Sequence, residues 1–283
     1  MSSHRLIVLI VLLTLCAPGA ARTDVAPGFE EASADGQATV RVLWTPSPGW
    51  AEADEGRQPD GVTVALMQRF ADWLEDRHDI DLALEFVREP DWSAMYARVR
   101  DGQGGVFGLG NVTITESRAR ELAFSPPYIH NVAVLISHRD RPEVATPDAL
   151  REAFDGLEAL AFRDTLHAER LEALRADHWP GMPIRSVESN DAILEGVGAD
   201  AGFAFIDAYN YYRARAAGAA LRHHRAFNDP GEAFGVIMPH GSDWAGVVAE
   251  FFADHEGLID APWYRELLEA HLGARVAEIL ISN

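Results

Sequence analysis

Lysine is absent from this sequence of 283 residues: all 24 basic side chains are arginine, against 44 aspartate and glutamate residues, so the formal net charge is −20. A surface this acidic repels phosphate backbones and anionic lipid headgroups, which argues against nucleic-acid binding and against electrostatic attachment to a membrane. Strong negative charge keeps proteins soluble in concentrated salt, and avoidance of lysine can equally reflect the base composition of a genome. Neither cause identifies a function.

Cysteine is almost absent as well. The single thiol, Cys16, lies near the N-terminus, where a short basic start precedes an unbroken apolar run over residues 6–13 and small residues follow. This order is typical of a secretory signal peptide, and we expect cleavage after Ala21. A lipoprotein signal would need a small residue before the cysteine, where Leu15 stands, so a lipid anchor is disfavoured. Loss of residues 1–21 would leave a mature chain without thiols or disulfides.

Long apolar runs are lacking after the signal segment. No later stretch approaches the roughly 18–20 consecutive apolar residues of a membrane-spanning helix. The sequence therefore predicts a soluble, exported chain. Residues 22–37 are polar, and we expect them to form a flexible lead-in to the folded part.

From residue 38 onward, short apolar segments alternate with segments of helical periodicity. Residues 38–44 predict a strand, and apolar residues that include Val62, Leu66 and Phe70 predict a helix over residues 62–78. The same alternation continues along the chain and predicts an α/β protein with largely parallel sheets. No period of 20–50 residues recurs, which excludes a solenoid. In parallel sheets of this kind, ligands bind at the carboxyl ends of the strands.

Polar residues follow several of these predicted strands. The loop after residues 106–109 contains Thr113 and Arg118, whose guanidinium could bind a carboxylate through two parallel hydrogen bonds. The same loop could also be a threonine-capped helix start with a solvent-facing arginine. Thr165 opens the helix after another strand, and Asp207 follows the strand over residues 202–206. An aspartate in that place either contacts a ligand or caps the next helix.

A motif in this region resembles a known family. Residues 113–128 read TITESRARELAFSPPY, which resembles the T-I-T-x-x-R-x-x-x-x-x-F-S-x-P-Y signature of family 3 extracellular solute-binding proteins, the polar amino-acid receptors of bacterial ABC importers. The match is specific because it fixes about eight positions over these sixteen residues. Weaker similarities cover nearly all of the remaining mature chain, including residues 60–62, 92–99 and 195–207.

The resemblance implies a binding site for a zwitterion. By the family's pattern, Arg118 holds the α-carboxylate of the ligand, and Thr113 and Thr165 assist it. Asp207 binds the α-ammonium group. These roles agree with the chemistry of the loops, since a zwitterion needs a fixed cation at one end and an anion at the other.

Further contacts follow from the same resemblance. Backbone carbonyls near Gly110 and Asn111 would supply more acceptors for the ammonium group. Trp92 matches the family's aromatic position and would form a wall for the aliphatic part of the ligand, together with either Trp44 or Trp50. Because a buried tryptophan is more often part of the core than of a ligand site, core packing remains the alternative for all three.

The family's fold is the two-lobed periplasmic binding protein (type II) fold, in which two hinge strands join two α/β lobes. We expect lobe 1 to comprise residues 38–130 plus 235–283, and lobe 2 to comprise residues 131–234. The chain would cross between the lobes near residues 129–132 and 232–235. A ligand between the lobes favours the closed state.

The sequence does not predict an enzyme. It contains no H-E-x-x-H or G-x-S-x-G motif, and the glycine-rich residues 104–110 lack the lysine of a P-loop. We therefore expect a monomeric periplasmic protein without cofactor, metal or nucleic-acid partner, which captures an amino acid or similar zwitterion and delivers it to an ABC permease. The alternative is a ligand sensor or accessory protein with the same fold. The loop over residues 45–59 fits the family pattern poorly, so the sequence does not indicate which side chain the ligand has.

Overall fold

The computed structural model describes residues 23–281, so the predicted signal peptide lies outside the described part of the chain. Strands and helices alternate within it, which confirms the α/β class. The strands are β1 (Val25–Ala26), β2 (Gln37–Trp44), β3 (Asp81–Arg88), β4 (Gln103–Gly104), β5 (Val106–Thr113), β6 (Leu122–Phe124), β7 (Ile129–His138), β8 (Glu158–Phe162), β9 (Ile184–Val187), β10 (Gly202–Asp207) and β11 (Leu221–Pro239). The helices are α1 (Phe29–Asp35), α2 (Val62–His78), α3 (Trp92–Arg100), α4 (Glu116–Ala119), α5 (Leu150–Ala153), α6 (Leu166–Asp177), α7 (Asn190–Gly198), α8 (Ala208–Ala216), α9 (Trp244–Asp254), α10 (Pro262–Leu272) and α11 (Ala274–Ile281), and a 3-10 turn covers Pro147–Ala149.

The helices form where local sequence signals predict them. In α2 the apolar residues that recur every four positions are buried, as the periodicity predicts. Asp91, Thr165 and Ser189 begin α3, α6 and α7, and the side chain of each accepts a hydrogen bond from the backbone N–H three residues further on. These caps satisfy backbone donors that a helix start leaves free.

Nine strands form one sheet in the order β3-β2-β5-β11-β7-β10-β8-β9, with β6 paired to β11, while β1 and β4 form a separate parallel pair. β2 is parallel to β3 and β5, and β8 is parallel to β9 and β10. Every antiparallel pair in this described sheet involves β7 or β11.

The strands β7 and β11 join two lobes. They pair antiparallel from Ile129 opposite Phe234 to His138 opposite Leu221, with shifts in register between His224 and Glu232. The end of β11 pairs with β5 on one side of the molecule, whereas β7 pairs with β10 on the other. Two parallel groups of strands are thereby connected through two shared strands. The residue at which each lobe ends stays a prediction.

Buried apolar side chains form separate cores on the two sides of these strands. The larger core contains Trp50, Phe70 and Trp244 and belongs to the first lobe. A core of the second lobe contains Phe154 and Phe203, whose ring centroids are 4.5 Å apart. Separate cores on the two sides are expected of a chain of this length that divides into two domains.

Residues 24–37 are not the flexible lead-in that their polar composition predicted. β1 pairs with β4, and α1 packs its buried Ala32 and the ring of Phe29 against the first lobe, where Phe29 lies 5.5 Å from the Trp244 ring. The side chain of Asp24 is 4% exposed and forms ion pairs with Arg41 and Arg98 at 2.9 Å each. The polar residues of α1 face solvent, while a few residues on the other face anchor the segment.

Three further elements differ from the sequence prediction. β9 was not predicted because it lies at the sheet edge with only Val187 buried, so its residues do not alternate. The first half of β11 was not predicted because its residues are polar and its pairing with β7 is irregular. The helix α11, which follows α9 and α10, was not predicted either. Among residues 23–281, no helix has the length and apolar character needed to cross a bilayer.

Candidate ligand-binding site

A cavity of about 130 Å³ lies between the two lobes, and most of the residues predicted to bind ligand line it. The first lobe contributes Trp92, Gly110, Asn111, Thr113 and Arg118, and the second lobe contributes Thr165 and Asp207. Most lie at the carboxyl ends of β5 and β10 or at the starts of α4 and α6, whereas Trp92 begins α3. The sheet topology therefore brings together residues that are up to 115 positions apart in the sequence.

Trp44 and Trp50 do not line this cavity, and the prediction that one of them forms its wall is corrected. Both are buried in the core of the first lobe, with 3% and 1% of their surface exposed. Trp44 is covered by Arg88, whose guanidinium carbon lies 5.9 Å from the ring centroid. Trp50 contacts the ring of Tyr209 at 5.4 Å. Trp50 thus supports a residue of the cavity wall without reaching the cavity.

Arg118 presents an unpaired cation to the cavity. It is half-buried, and its guanidinium donates to the Thr113 carbonyl at 3.2 Å and to the Asp164 carbonyl of the other lobe at 3.5 Å. No carboxylate of the described residues lies within 4.0 Å of it. Burial lowers its pKa from the ordinary value, although an arginine stays charged at neutral pH. A cation held away from water without an anion is costly unless a ligand supplies one.

Trp92 positions this guanidinium. The Arg118 guanidinium carbon lies 5.3 Å from the Trp92 ring centroid and 5.9 Å from that of Tyr96, within range of cation–π attraction. The two rings stack on each other at 5.4 Å. Trp92 Nε1 donates to the Gly110 carbonyl at 3.1 Å. A Cβ atom at position 110 would lie only 2.3 Å from Met95 Cε, so glycine is needed for α3 to pack this closely against β5.

Asn111 lies at the centre of a hydrogen-bond network that connects the lobes. Its φ of 51° is in the left-handed region, which asparagine adopts more readily than most residues. Its Oδ1 accepts from Tyr128 Oη at 2.8 Å, and its Nδ2 donates to Ser47 Oγ at 3.2 Å and to Tyr209 Oη at 3.1 Å. Ser47 and Tyr209 also contact each other at 3.0 Å. Burial raises the pKa of Tyr209 to about 12, so its phenol keeps its proton at neutral pH.

Two threonines complete the wall near Arg118. Thr113 ends β5 and is buried, and its carbonyl accepts the Arg118 bond described above. Thr165 begins α6, where its hydroxyl donates to the Phe162 carbonyl at 2.7 Å. The positive end of the α6 dipole therefore faces the cavity.

The side chain of Asp207 does not cap α8, so that alternative is wrong, and contact with a ligand stays a prediction. Its side chain makes no capping bond. Instead its Oδ1 accepts from Asn131 Nδ2 at 2.7 Å and lies 3.1 Å from His167 Nε2. Both of these bonds go to Oδ1, and no described residue donates a hydrogen bond to Oδ2. Asp207 is therefore held in place by two residues while one carboxylate oxygen stays free for a ligand.

A second buried carboxylate lies behind Asp207. Glu232, on β11, is 3% exposed and accepts from the same Asn131 amide nitrogen at 2.5 Å. Arg170 pairs with Glu232 and with Asp229, and its Nη1 also lies 3.4 Å from His167 Nδ1. Because Arg170 donates to Nδ1, the ring proton of His167 sits on Nε2 and points at Asp207. This cluster joins β7, β10 and β11 where the chain crosses between the lobes.

The lobes also touch at the rim of the cavity. Ser93 Oγ donates to Asp164 Oδ2 at 2.6 Å, and Arg163 lies 3.5 Å from Asp91. Each of these pairs joins one residue from the first lobe to one from the second. The structure therefore has its two lobes in contact over the cavity. Within residues 23–281, no group of three or more His, Cys, Asp or Glu side chains is arranged to hold a metal ion.

Comparison with known proteins identifies the family. The model of the bacterial extracellular solute-binding proteins, family 3, matches residues 40–256, which is most of the chain. The protein belongs to this family. No curated protein sequence matches the chain.

Solved structures share the fold of this family 3 protein at low sequence identity. An ancestral arginine-binding protein bound to arginine has a TM-score of 0.65 and 16% identity, over 82% of this chain and 97% of that one. The arginine-, lysine-, histidine-binding protein ArtJ from the thermophilic bacterium Geobacillus stearothermophilus has a TM-score of 0.62 and 19% identity, over 83% and 95%. A histidine kinase sensor domain similar to periplasmic binding proteins has a TM-score of 0.65 and 19% identity, over 84% and 98%. The two-lobed periplasmic binding protein fold is thereby confirmed.

Sequence reasoning missed several residues of the cavity in this family 3 protein. Tyr209, Asn210 and Arg213 lie on α8, and His167 lies on α6. Tyr209 and Asn210 come just after Asp207, at the carboxyl end of a predicted strand, and this position could have identified them. Nothing local indicates the role of Arg213, since its place in the cavity depends on how α8 meets the other lobe.

Proposed function

We propose that this protein captures an amino acid or a similar small zwitterion between its two lobes. The observation that carries this proposal is that Arg118 and Asp207 line one cavity from different lobes. Each has an unused capacity: Arg118 has no carboxylate among the described residues, and Asp207 Oδ2 has no hydrogen bond there. A molecule with a carboxylate and an ammonium group satisfies both.

The carboxylate end is bound by Arg118. The guanidinium and the carboxylate form a charge-assisted pair, which is shorter and about twice as strong as a neutral hydrogen bond. Thr113 contributes its hydroxyl group, and Thr165 contributes its own once that hydroxyl turns from the Phe162 carbonyl toward the ligand. The start of α6 contributes its dipole. The ring of Trp92 forms a wall for the aliphatic part of the ligand.

The ammonium end is bound by Asp207 through Oδ2. Backbone carbonyls near Gly110 and Asn111 supply the remaining acceptors. Because an ammonium group has three donors in a tetrahedral arrangement, one carboxylate oxygen and two carbonyls are a suitable set.

Ligand binding and lobe closure are coupled in this proposal. Only the closed form puts Arg118 and Asp207 on one ligand together, so the ligand shifts the population toward that form. The hinge strands β7 and β11 carry the motion, as in other hinge-closing binding proteins. The protein acts as a monomer in the periplasm, after export, and delivers its ligand to an ABC permease without performing catalysis.

The neighbours support an amino acid as the ligand class. The ancestral protein is bound to arginine, and ArtJ binds arginine, lysine and histidine. The histidine kinase sensor domain supports a second candidate function, that of a ligand sensor outside transport. Uptake of the bound amino acid distinguishes the two: deletion of the gene abolishes uptake if the protein serves an importer and leaves it unchanged if the protein is a sensor.

A thermal-shift screen of the purified protein with amino acids, dipeptides and organic acids, followed by calorimetry, tests the binding function. We expect at least one α-amino acid to stabilise the protein, and Arg118→Ala to weaken its binding roughly a hundredfold. Arg120→Ala is the matched control, because Arg120 is exposed two residues away and does not line the cavity. Stabilisation only by compounds without an α-amino group would contradict the proposal, as would equal affinity in Arg118→Ala.

A further inference from the structure

Buried polar atoms without hydrogen-bond partners mark one side of the cavity. Among the residues that the structure describes, Arg213 Nε, Asn210 Nδ2 and Asn190 Oδ1 are all buried and unpaired, and all three residues line the cavity. Buried polar groups in folded proteins almost always have partners, and an unpaired one costs free energy. Their concentration on the wall of a ligand cavity indicates that the partner is supplied by the ligand.

Arg213 is the second guanidinium of this cavity. It lies in the last turn of α8, the helix that starts directly after Asp207. Its one hydrogen bond to a described residue is long, from Nη2 to Asn210 Oδ1 at 3.5 Å. No carboxylate of residues 23–281 lies within 4.0 Å of it. It therefore resembles Arg118, which also faces the cavity as a cation without an anion.

Several other half-buried arginines of this chain are neutralised by carboxylates of the protein. Arg170 pairs with Asp229 and Glu232, and Arg98 pairs with Asp24 and Glu89. A chain with 44 acidic residues can supply such partners readily. The two arginines of the cavity, Arg118 and Arg213, have no such partner among the described residues, so each is a cation of the cavity wall without a paired carboxylate.

We propose that Arg213 and Asn210 form a subsite for a second anionic group, and that the ligand is an amino acid with a side-chain carboxylate. This inference rests on the proposed function, in which Arg118 and Asp207 hold the α-carboxylate and the α-ammonium group. The side-chain carboxylate accepts from Arg213 Nε and Asn210 Nδ2, which satisfies both buried donors and neutralises the guanidinium. A ligand of this class carries two carboxylates, one for each unpaired arginine.

Acidic residues at the cavity edge could instead favour a basic side chain, but they fit it less well. Glu188 is already paired with Arg163 at 2.7 Å, and Asp191 is exposed. An ammonium or guanidinium group has donors only, so it would leave Arg213 Nε and Asn210 Nδ2 unpaired and would place a like charge beside Arg213. The donors require an acceptor on the ligand.

A side-chain amide is the closer competitor. Its oxygen could accept from Arg213, and its nitrogen could donate to Asn190 Oδ1. An amide, however, leaves the charge of Arg213 without a counterion, and charge-assisted bonds are the stronger ones. Each acidic amino acid and its amide differ in this one group, so their relative affinity tests the subsite directly.

Calorimetry with L-glutamate, L-aspartate, L-glutamine, L-asparagine, L-arginine and L-lysine performs this test on the purified protein. We expect one acidic amino acid to bind at least tenfold more tightly than its amide. Arg213→Gln should weaken binding of that acid about 30-fold and change binding of the amide less than threefold. Arg213→Lys keeps the charge but lacks the Nε–H donor, so its affinity for the acid should lie between those of the native protein and Arg213→Gln. Arg215→Gln is the matched control, because Arg215 is exposed on the same helix and does not line the cavity.

The outcomes separate this inference from the function on which it rests. If an amino acid binds in an Arg118-dependent way but Arg213→Gln leaves the ratio of acid to amide unchanged, the subsite is wrong and the proposed function stands. Tighter binding of arginine or lysine than of either acid also overturns the subsite alone. If no amino acid binds, both are overturned. Circular dichroism and the melting temperature of each variant verify that it is folded.

Discussion

The phenol of Tyr209, on the second lobe, lies 3.0 Å from the hydroxyl of Ser47 on the first lobe, and both also contact the side-chain amide of Asn111. This contact lies on the wall of the cavity, and the ring behind it packs on Trp50 in the first-lobe core. Tyr209 is thus a residue of one lobe that is buried in the other. We infer that it stabilises the state in which the lobes are together, independently of the groups that bind ligand.

Replacing Tyr209 with phenylalanine should therefore weaken ligand binding. The change removes two hydrogen bonds that exist only between the lobes, each with a net contribution of about 1 kcal/mol, so the dissociation constant should rise roughly 30-fold. Calorimetry measures the affinity, and small-angle X-ray scattering should show a larger radius of gyration without ligand.

Tyr211→Phe is the control for this change. Tyr211 lies two residues further along α8, outside the cavity, and its ring contacts Tyr212 and His223. Its hydroxyl should be dispensable for binding. An unchanged affinity and radius of gyration in Tyr209→Phe would show that its hydroxyl does not stabilise the closed form.

Much of the lining of the cavity could be predicted because its residues carry local signals. Arg118 and Asp207 follow strands whose apolar composition is plain, and the motif around Arg118 is a run of sixteen residues. Arg213 carries no such signal, because its place in the cavity depends on how α8 meets the other lobe. Trp44 and Trp50 show the reverse error: aromatic residues near a binding loop are equally suited to a core, and here they are core.

The N-terminal residues were mispredicted for a related reason. Asp24 is one acidic residue in an acidic, polar segment, and nothing near it indicates that it is buried. Its partners Arg41 and Arg98 are 17 and 74 residues away. Composition averages over a segment, whereas a few long-range contacts determine whether the segment is ordered.

Exchanging Asn131 for aspartate should destabilise the junction of the lobes. The Asn131 amide donates to both Asp207 and Glu232, so a carboxylate there would place three acidic groups together in a buried cluster. We expect a loss of about 3 kcal/mol in the free energy of unfolding at pH 7. The like charges raise the pKa of the new carboxyl, so its protonation on acidification should reduce the loss below about pH 5.

Chemical denaturation of both proteins at pH 7 and pH 4.5 measures this difference. Asn228→Asp is the control, since Asn228 is exposed on the same hinge strand β11 and would place its new charge beside His223. Its effect should stay within about 0.5 kcal/mol. A loss in Asn131→Asp that does not depend on pH would contradict the electrostatic explanation.

Neutralising Asp24 should destabilise the first lobe, although the residue lies far from the cavity. Burial raises the pKa of this carboxyl, but the hydrogen bonds and charges of Arg98 and Arg41 outweigh it, so the pKa lies below its ordinary value. Asp24→Asn should lower the free energy of unfolding by about 2 kcal/mol, the contribution expected of charge-assisted hydrogen bonds that are partly exposed.

Urea denaturation followed by tryptophan fluorescence measures the effect of Asp24→Asn, with Asp35→Asn at the exposed end of α1 as the control. Because the folded pKa of Asp24 is depressed, its contribution is present above the unfolded value of 3.8 and is lost as the pH falls through the folded pKa. Equal stability of the two variants would mean that residues 24–37 are not anchored through Asp24.

The second lobe contains a buried histidine that should make it sensitive to acid. His224 is fully buried in β11, its Nε2 lies 2.8 Å from Ser137 Oγ, and its Nδ1 accepts from the Val144 N–H at 3.1 Å. Burial, with a smaller effect from Arg222, lowers its pKa from 6.5 to about 4. The unfolded chain therefore binds a proton that the folded chain refuses between these values, and stability falls as the pH drops from 6.5 toward 4. The difference of the two pKa values corresponds to a loss of roughly 3 kcal/mol.

Unfolding free energies measured from pH 7.5 to pH 4 should show this slope in the native protein and a shallower one in His224→Gln. His178→Gln, at an exposed histidine of the same lobe, should leave the slope unchanged, and a native slope retained in His224→Gln would assign the acid sensitivity to other groups.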